Sequence, residues 1–272
     1  MRIQISSAEY DSGRLADESL AAAVAAFDED GYVILGGAVD PAVLDAIKPK
    51  LDEDTAELQR RGAWGGAGRR VGHLQQSMPR APEHLYGEIV TNPLVIQVTT
   101  AVLGEGIHSH FYNGNTNLPG SEAQPLHRDS GRPEVIDVTE TVSVVINMSP
   151  VDVDETNGAT EIWPGTHRLP GANGVSEEAE AARRAERPPV RAATKKGDVV
   201  LRDIRLWHRG VPNLGDQARH MIGMIHSRPF FLSESCIRVP KSAAHAFDHP
   251  TLTTRMEIVD DDYDYLSEPV RT

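Results

Sequence analysis

A chain of 272 residues, 39% hydrophobic and 25% charged, is long enough to bury a large core and too rich in apolar side chains to be disordered. Its one cysteine, Cys236, excludes an internal disulfide and a four-cysteine zinc site. With 27 basic and 40 acidic residues the net charge is −13, which argues against a nucleic-acid partner. Residues 1–9 lack a leader pattern, and the longest apolar run, 20–27, is too short for a membrane span, so a soluble, cytoplasmic protein with no membrane partner is expected.

In chain order, Leu15, Leu20, Val24 and Phe27 have the spacing of an amphipathic helix over 15–27, ended by residues 28–31. A short strand follows at 32–35. Asp40-Pro41 has the form of an N-cap with proline in the first turn, and predicts a helix to about Arg60 with Val43, Leu44, Ile47 and Leu51 on one face. The glycine- and arginine-rich stretch 61–72 is expected to be a mobile loop. A third helix is predicted over 93–103. After Gly106 short β-prone runs take over, at 107–112, 135–147, 160–163, 198–203 and 221–226.

Helices followed by strands predict a mainly β fold with flanking α, a sandwich or barrel backed by N-terminal helices. One domain over 1–272 is expected: a mostly helical part at 15–105, a β core at 106–232 and a C-terminal extension at 233–272. Within that core, 170–190 is an insertion whose helix-prone, charged segment 176–187 has a lid as one reading. No internal repeat is present.

The chemistry is concentrated in three places. His127 and Asp129 are two residues apart, so on an extended strand both side chains point to one face and can reach one point in space. His208 comes 81 residues later, after an apolar run and before a Gly/Pro/Asn turn, as expected for a residue at a strand end facing a barrel mouth. Two histidines and one carboxylate are the donor set of non-haem Fe(II) oxygenases, with positions left open for cosubstrate and oxygen. Zinc hydrolases use similar donors, but the His-Glu-x-x-His helix of the best-known ones is absent, so iron is preferred. Arg219 lies near the start of the next predicted strand, where its planar fork suits the far end of a dicarboxylate whose near end chelates the metal.

His127-x-Asp129, then Asn157-Gly158-Ala159-Thr160 running into Pro164-Gly165-Thr166-His167, then His208 with Arg219 eleven residues on, resembles the phytanoyl-CoA dioxygenase family of Fe(II)/2-oxoglutarate oxygenases. The block from Phe27 to Val33 resembles that family's N-terminal segment. The resemblance implies a double-stranded β-helix (a jelly-roll, cupin-like core), with Fe(II) on His127, Asp129 and His208, 2-oxoglutarate as cosubstrate with its C5 carboxylate on Arg219, and O2 as oxidant. It further implies that Gln124 and Thr160 help to hold the cosubstrate. Because halogenating relatives replace the carboxylate by a small residue, Asp129 points to hydroxylation or a related oxidation such as desaturation, epoxidation or ring formation.

A small-molecule or secondary-metabolite substrate is expected, with Arg69, Arg70, His73 and Gln75 of the N-terminal loop and Asn113, Asn115 and Asn117 as the residues to face it. Thr141, Ser143 and Val145 alternate along a strand and would present one face inward. His167 is read as structural, and His220 and His226 are turned from the metal by strand parity, as are Trp207 and Arg209. Two rival readings share the fold: a metal-dependent cupin enzyme that does not use 2-oxoglutarate and has no need of Arg219, and a non-catalytic binding module, whose mark would be lost ligands.

Overall fold

Local chemistry starts and stops the helices. The computed structural model describes residues 1–62, 65–66, 68–129, 140–171, 173–231 and 235–268. Six α-helices lie among them: α1 (Ser7–Ser12), α2 (Asp17–Asp30), α3 (Pro41–Arg61), α4 (Gly87–Val90), α5 (Pro93–Leu103) and α6 (Glu177–Glu186). At the head of α3 the Asp40 carboxylate accepts the Ala42 N–H at 2.8 Å, and left-handed Gly62 ends the helix. Asn92 caps α5 by accepting the N–H groups of Leu94 and Val95. Helix α2 starts two residues later than its apolar spacing suggests and runs on to Asp30, where left-handed Gly31 returns its N–H to the Phe27 carbonyl. Helix α1, for which sequence spacing gave no expectation, is nucleated by a reciprocal cap between Ser6 and Glu9.

Thirteen strands follow one another along the described chain: β1 (Arg2–Gln4), β2 (Tyr32–Gly36), β3 (His73–Ser77), β4 (His108–Asn117), β5 (Ser143–Met148), β6 (Glu161–Ile162), β7 (Val190–Arg191), β8 (Val199–Asp203), β9 (His208–Arg209), β10 (Ile222–Ser227), β11 (Ile237–Pro240), β12 (Thr253–Thr254) and β13 (Met256–Val259). The run expected over 135–147 forms a strand only from Ser143; residues 135–139 lie outside the described residues. The supposed loop 61–72 contains a 3-10 turn at Arg69–Val71, while its residues 63, 64 and 67 are outside the description. His73 and Gln75, expected in that loop, instead lie on β3, paired with Asn117 and Asn115 of β4.

The large sheet has the order β1-β2-β8-β5-β10-β4-β12, with β3 also paired to β4, and a small sheet has the order β7-β6-β9. Together they make a jelly roll backed by helices. Strand parity divides the large sheet into two faces. Val33, Leu35, Tyr112, Val144, Ile146, Met148, Val199, Leu201, Ile222 and Met224 pack with Phe27, Leu44, Ile47, Val95 and Val98 of the helices in one continuous core. The alternate residues, among them Asn113, Val145, Asn147, Arg202, Gly223 and Ile225, turn into the roll. Polar and charged groups on that inner face are the first structural sign of a site, since a purely structural core gains nothing from burying them. No helix among the described residues is long and apolar enough to cross a membrane.

Helix α6 packs on the small sheet: Arg184 lies over the Trp163 ring, Arg183 donates to the Pro164 carbonyl, and Glu180 pairs with Arg209 at 3.1 Å.

Candidate metal centre and its cavity

The backbone brings the two histidines together. His127 and His208 form an isolated antiparallel bridge, exchanging N–H···O bonds of 3.1 and 3.0 Å, and their rings are 4.4 Å apart between centroids. Asp129, two residues further along the same extended segment, is held by its N–H to the Ile204 carbonyl. Its carboxylate oxygens then lie 3.7 Å from His127 Nε2 and 3.5 Å from His208 Nε2. One donor atom from each of the three residues falls within 4.8 Å of the others, the only such group found among the described residues.

The tautomers follow from the partners. His127 Nδ1 lies 2.8 Å from the Pro125 carbonyl and His208 Nδ1 lies 2.9 Å from the Leu206 carbonyl. A carbonyl only accepts, so each Nδ1 carries the proton and each Nε2 turns a lone pair to the shared centre. Burial, and then the neighbouring His208, pushes the His127 imidazole down to about 4, so it is neutral at ordinary pH. Burial opposes ionisation of Asp129, but the Arg202 guanidinium overcomes it and holds the carboxyl well below the usual range.

Next to the triad, reached through the Arg202 contact to Asp129, a cavity opens between the inner faces, lined by Asn147, Ser149, Thr160, Arg202, Arg219 and Met221 among others. Arg219 reaches it from the bridge it makes with Asn117, just before β10. Arg219 is 3% exposed, and its guanidinium donates from Nη2 to the Gly158 carbonyl at 3.0 Å and has no carboxylate partner among the described residues. Nε has no hydrogen-bond partner among the described residues. Burial alone lowers this group to about 10. Gly158 is needed at that contact: its φ is +85° and a Cβ there would come within 2.3 Å of Asn117 Nδ2.

The remaining expected residues divide by position. Thr160 lines the cavity with Arg219. Gln124 is half-buried and uses its Oε1 to accept the Gly210 N–H at 2.8 Å, which ties it to the turn after His208; it is not among the cavity's lining residues. Asn113 and Asn115 are half-buried on the inner side of β4, with Gln75 opposite Asn115. His73 is buried with Nε2 on the Glu122 carbonyl, Asn117 is buried and donates to the Val211 carbonyl, and Arg69 and Arg70 are exposed on their 3-10 turn. Of the alternating trio, the Thr141 and Ser143 hydroxyls are engaged with Asp203 and Ser227, leaving Val145 facing inward. His220 and His226 turn away to Asp52 and Thr99, Trp207 packs with Leu126 and Trp163, and Arg209 pairs with Glu161.

Sequence reasoning passed over Arg202, although an arginine directly after the apolar run Val199-Val200-Leu201, on the same predicted strand, was a readable signal. It also passed over Gly223, opposite both Asn113 and Asn147 on the inner face, where a mid-strand glycine leaves room beside Phe111.

Residues 27–221 match the family model described as Phytanoyl-CoA dioxygenase (PhyH). Among curated proteins, the Dioxygenase trt7 of Aspergillus terreus is 26% identical over 208 residues, covering 72% of this chain and 69% of that protein. The Fe(II)/2-oxoglutarate-dependent dioxygenase nvfF of Aspergillus novofumigatus is 27% identical over 204 residues, covering 68% and 63%. Among solved structures, the non-heme alpha ketoglutarate dependent carbocyclase SnoK from nogalamycin biosynthesis matches with a TM-score of 0.61 at 19% identity, over 79% of this chain and 84% of its own.

Proposed function

This chain belongs to the phytanoyl-CoA dioxygenase family, and we propose that it is an Fe(II)- and 2-oxoglutarate-dependent dioxygenase of a small molecule, with His127, Asp129 and His208 holding the iron and Arg219 anchoring the cosubstrate. The donors fit ferrous iron, because two imidazoles and one carboxylate leave further coordination positions for exogenous ligands. When bound, the iron supplies dioxygen activation, coupled to the conversion of 2-oxoglutarate to succinate and carbon dioxide and to oxidation of the substrate.

The observation that carries this reading is Arg219. A buried cation with one carbonyl contact and no counter-charge among the described residues, lining a cavity beside the triad, is a receptor waiting for an anion. The C5 carboxylate of 2-oxoglutarate satisfies it and displaces the need for water in the cavity. A cupin enzyme independent of the keto acid gives Arg219 no such task. The Pro125 and Leu206 carbonyls fix both imidazoles as Nε2 donors, Arg202 keeps Asp129 ionised, and Thr160 supports the cosubstrate from the cavity wall. Gln124 serves by positioning the turn that follows His208.

The substrate meets the inner face near Asn113, Asn115 and Gly223, where polar amides alternate with a missing side chain. The family name does not fix an acyl-CoA substrate. The solved relative SnoK acts in nogalamycin biosynthesis, and we place a secondary metabolite here too, with hydroxylation favoured by the retained Asp129. Purified protein supplied with Fe(II), 2-oxoglutarate and oxygen should release succinate, stimulated by the right compound in a substrate screen. Asp129→Ala should lose iron affinity and succinate release together; full succinate production by that variant contradicts the assignment.

A further inference from the structure

We infer that Arg202 is a second cosubstrate anchor, donating from its Nη1 to the C1 carboxylate of the keto acid while its Nη2 holds Asp129, so that Arg202 and Arg219 divide the two ends of the dicarboxylate between them. The inference rests on the 2-oxoglutarate reading above and extends it to a residue outside the recognised motifs.

Arg202 occupies β8 between residues of opposite facing. Leu201 joins the helix-packed core, and Asp203 is buried against Arg205, so parity alone sends Arg202 into the roll. There it sits in one cross-strand row with Tyr32 and Val145. Its side chain is only 7% exposed, too enclosed for its charge to be satisfied by solvent. Nη2 donates to Asp129 Oδ2, and Nε makes a long contact of 3.4 Å with Asn147 Oδ1. Nη1 is buried and has no hydrogen-bond partner among the described residues.

A residue whose whole task was to steady Asp129 would have no use for a second, buried donor left without a partner among the described residues. Arg202 and Arg219 line the same cavity, and each has a guanidinium nitrogen unpartnered among the described residues. The charges point the same way. The cosubstrate brings two carboxylates, Arg219 answers one, and Asp129 already claims part of the metal's charge, so the carboxylate at the metal end gains from a cation of its own. Arg202 is the one cavity-lining cation in contact with a triad residue.

Anaerobic titration of the Fe(II) protein with 2-oxoglutarate and with 2-oxobutyrate tests this, since the second acid keeps the keto-acid head and lacks the distal carboxylate. The charge-transfer absorption of the chelated keto acid reports binding without turnover. Affinity for Mn(II) alone, followed by electron paramagnetic resonance, reports the metal site separately. With metal saturating, Arg202→Gln is expected to weaken both acids by about tenfold or more and to leave the ratio between them unchanged. Arg219→Gln is expected to weaken 2-oxoglutarate alone and bring the ratio toward one. If Arg202→Gln leaves both acids within about twofold of wild type and lowers only Mn(II) affinity, Arg202 is a prop for Asp129 and the inference is overturned. Loss of 2-oxoglutarate binding alone in Arg202→Gln overturns it too, by moving Arg202 to the distal end. A wild-type protein that binds Mn(II) but neither acid refutes the 2-oxoglutarate reading itself. Thermal unfolding checks that each variant is folded; if the glutamine variant is not, Arg202→Lys, which keeps charge without the fork, is expected to show the same parallel weakening at smaller size.

Discussion

Replacing Arg219 by methionine separates what the cavity costs the fold from what it does for the ligand. Burial brings the guanidinium well below its ordinary range, down to about 10. At about 1.4 kcal/mol per pH unit, keeping that charge inside costs the ligand-free protein roughly 3 kcal/mol. The variant forfeits the hydrogen bond to the Gly158 carbonyl, worth about 1–2 kcal/mol, so a net gain of about 1–2 kcal/mol remains. Urea unfolding of the metal-free proteins should therefore show Arg219→Met to be the more stable. With Mn(II) in place of iron and 2-oxoglutarate at a hundred times its Kd, wild type should gain about 2.7 kcal/mol and the variant nothing. A variant that is less stable than wild type yet still stabilised by 2-oxoglutarate refutes the reasoning on both counts.

Two further outcomes are expected. Burial, with His249, His108 and His110 nearby, pushes the His226 imidazole down to about 3, so the folded protein keeps it neutral while an unfolded chain protonates it below about 6.5. Its contribution is complete above that pH and is lost as pH falls toward 3, with about 2 kcal/mol gone at pH 5. His226→Gln should reduce the stability lost between pH 7.5 and 5 by about that amount in urea titrations, and equal losses in the two proteins contradict the assignment. At Gly223 an added Cβ would meet the Asn113 carbonyl at 3.2 Å and Asn147 Nδ2 at 3.5 Å. Gly223→Val should raise substrate KM by about tenfold or more with 2-oxoglutarate binding intact, and an unchanged KM would place the substrate elsewhere.

Sequence was most informative where structure is decided within a few residues. Asp40-Pro41 and Gly62 mark the ends of α3, and Asn92-Pro93 marks the start of α5, because caps are local hydrogen bonds. The alternation that sends His220 and His226 away from the cavity is equally local. Strand β3 was missed because His73-Leu74-Gln75-Gln76-Ser77 has one aliphatic residue and no apolar alternation; β4 makes it a strand. Strand β1 owes its existence to parallel pairing with β2 in the same way. The Ser6 and Glu9 cap of α1 was legible and went unread. Residue types and spacing made His127, Asp129 and His208 candidates, but the bridge that draws His127 against His208 is a long-range pairing that spacing does not reveal. Arg202 shows the opposite case, a charge in an apolar strand whose meaning appears only once its neighbours across the sheet are known.

The short tethers of the two imidazoles have a consequence for how such a site could diversify. Each ring is steered by a carbonyl two residues earlier in its own segment, and the segments are joined by main-chain bonds rather than by side chains from elsewhere. Donor geometry is thus written into a small patch of backbone that carries its own alignment. Loops and strand faces farther out can change size, polarity and shape without retuning the coordinating nitrogens, so one reactive core can be refitted for new molecules by changing only its surroundings.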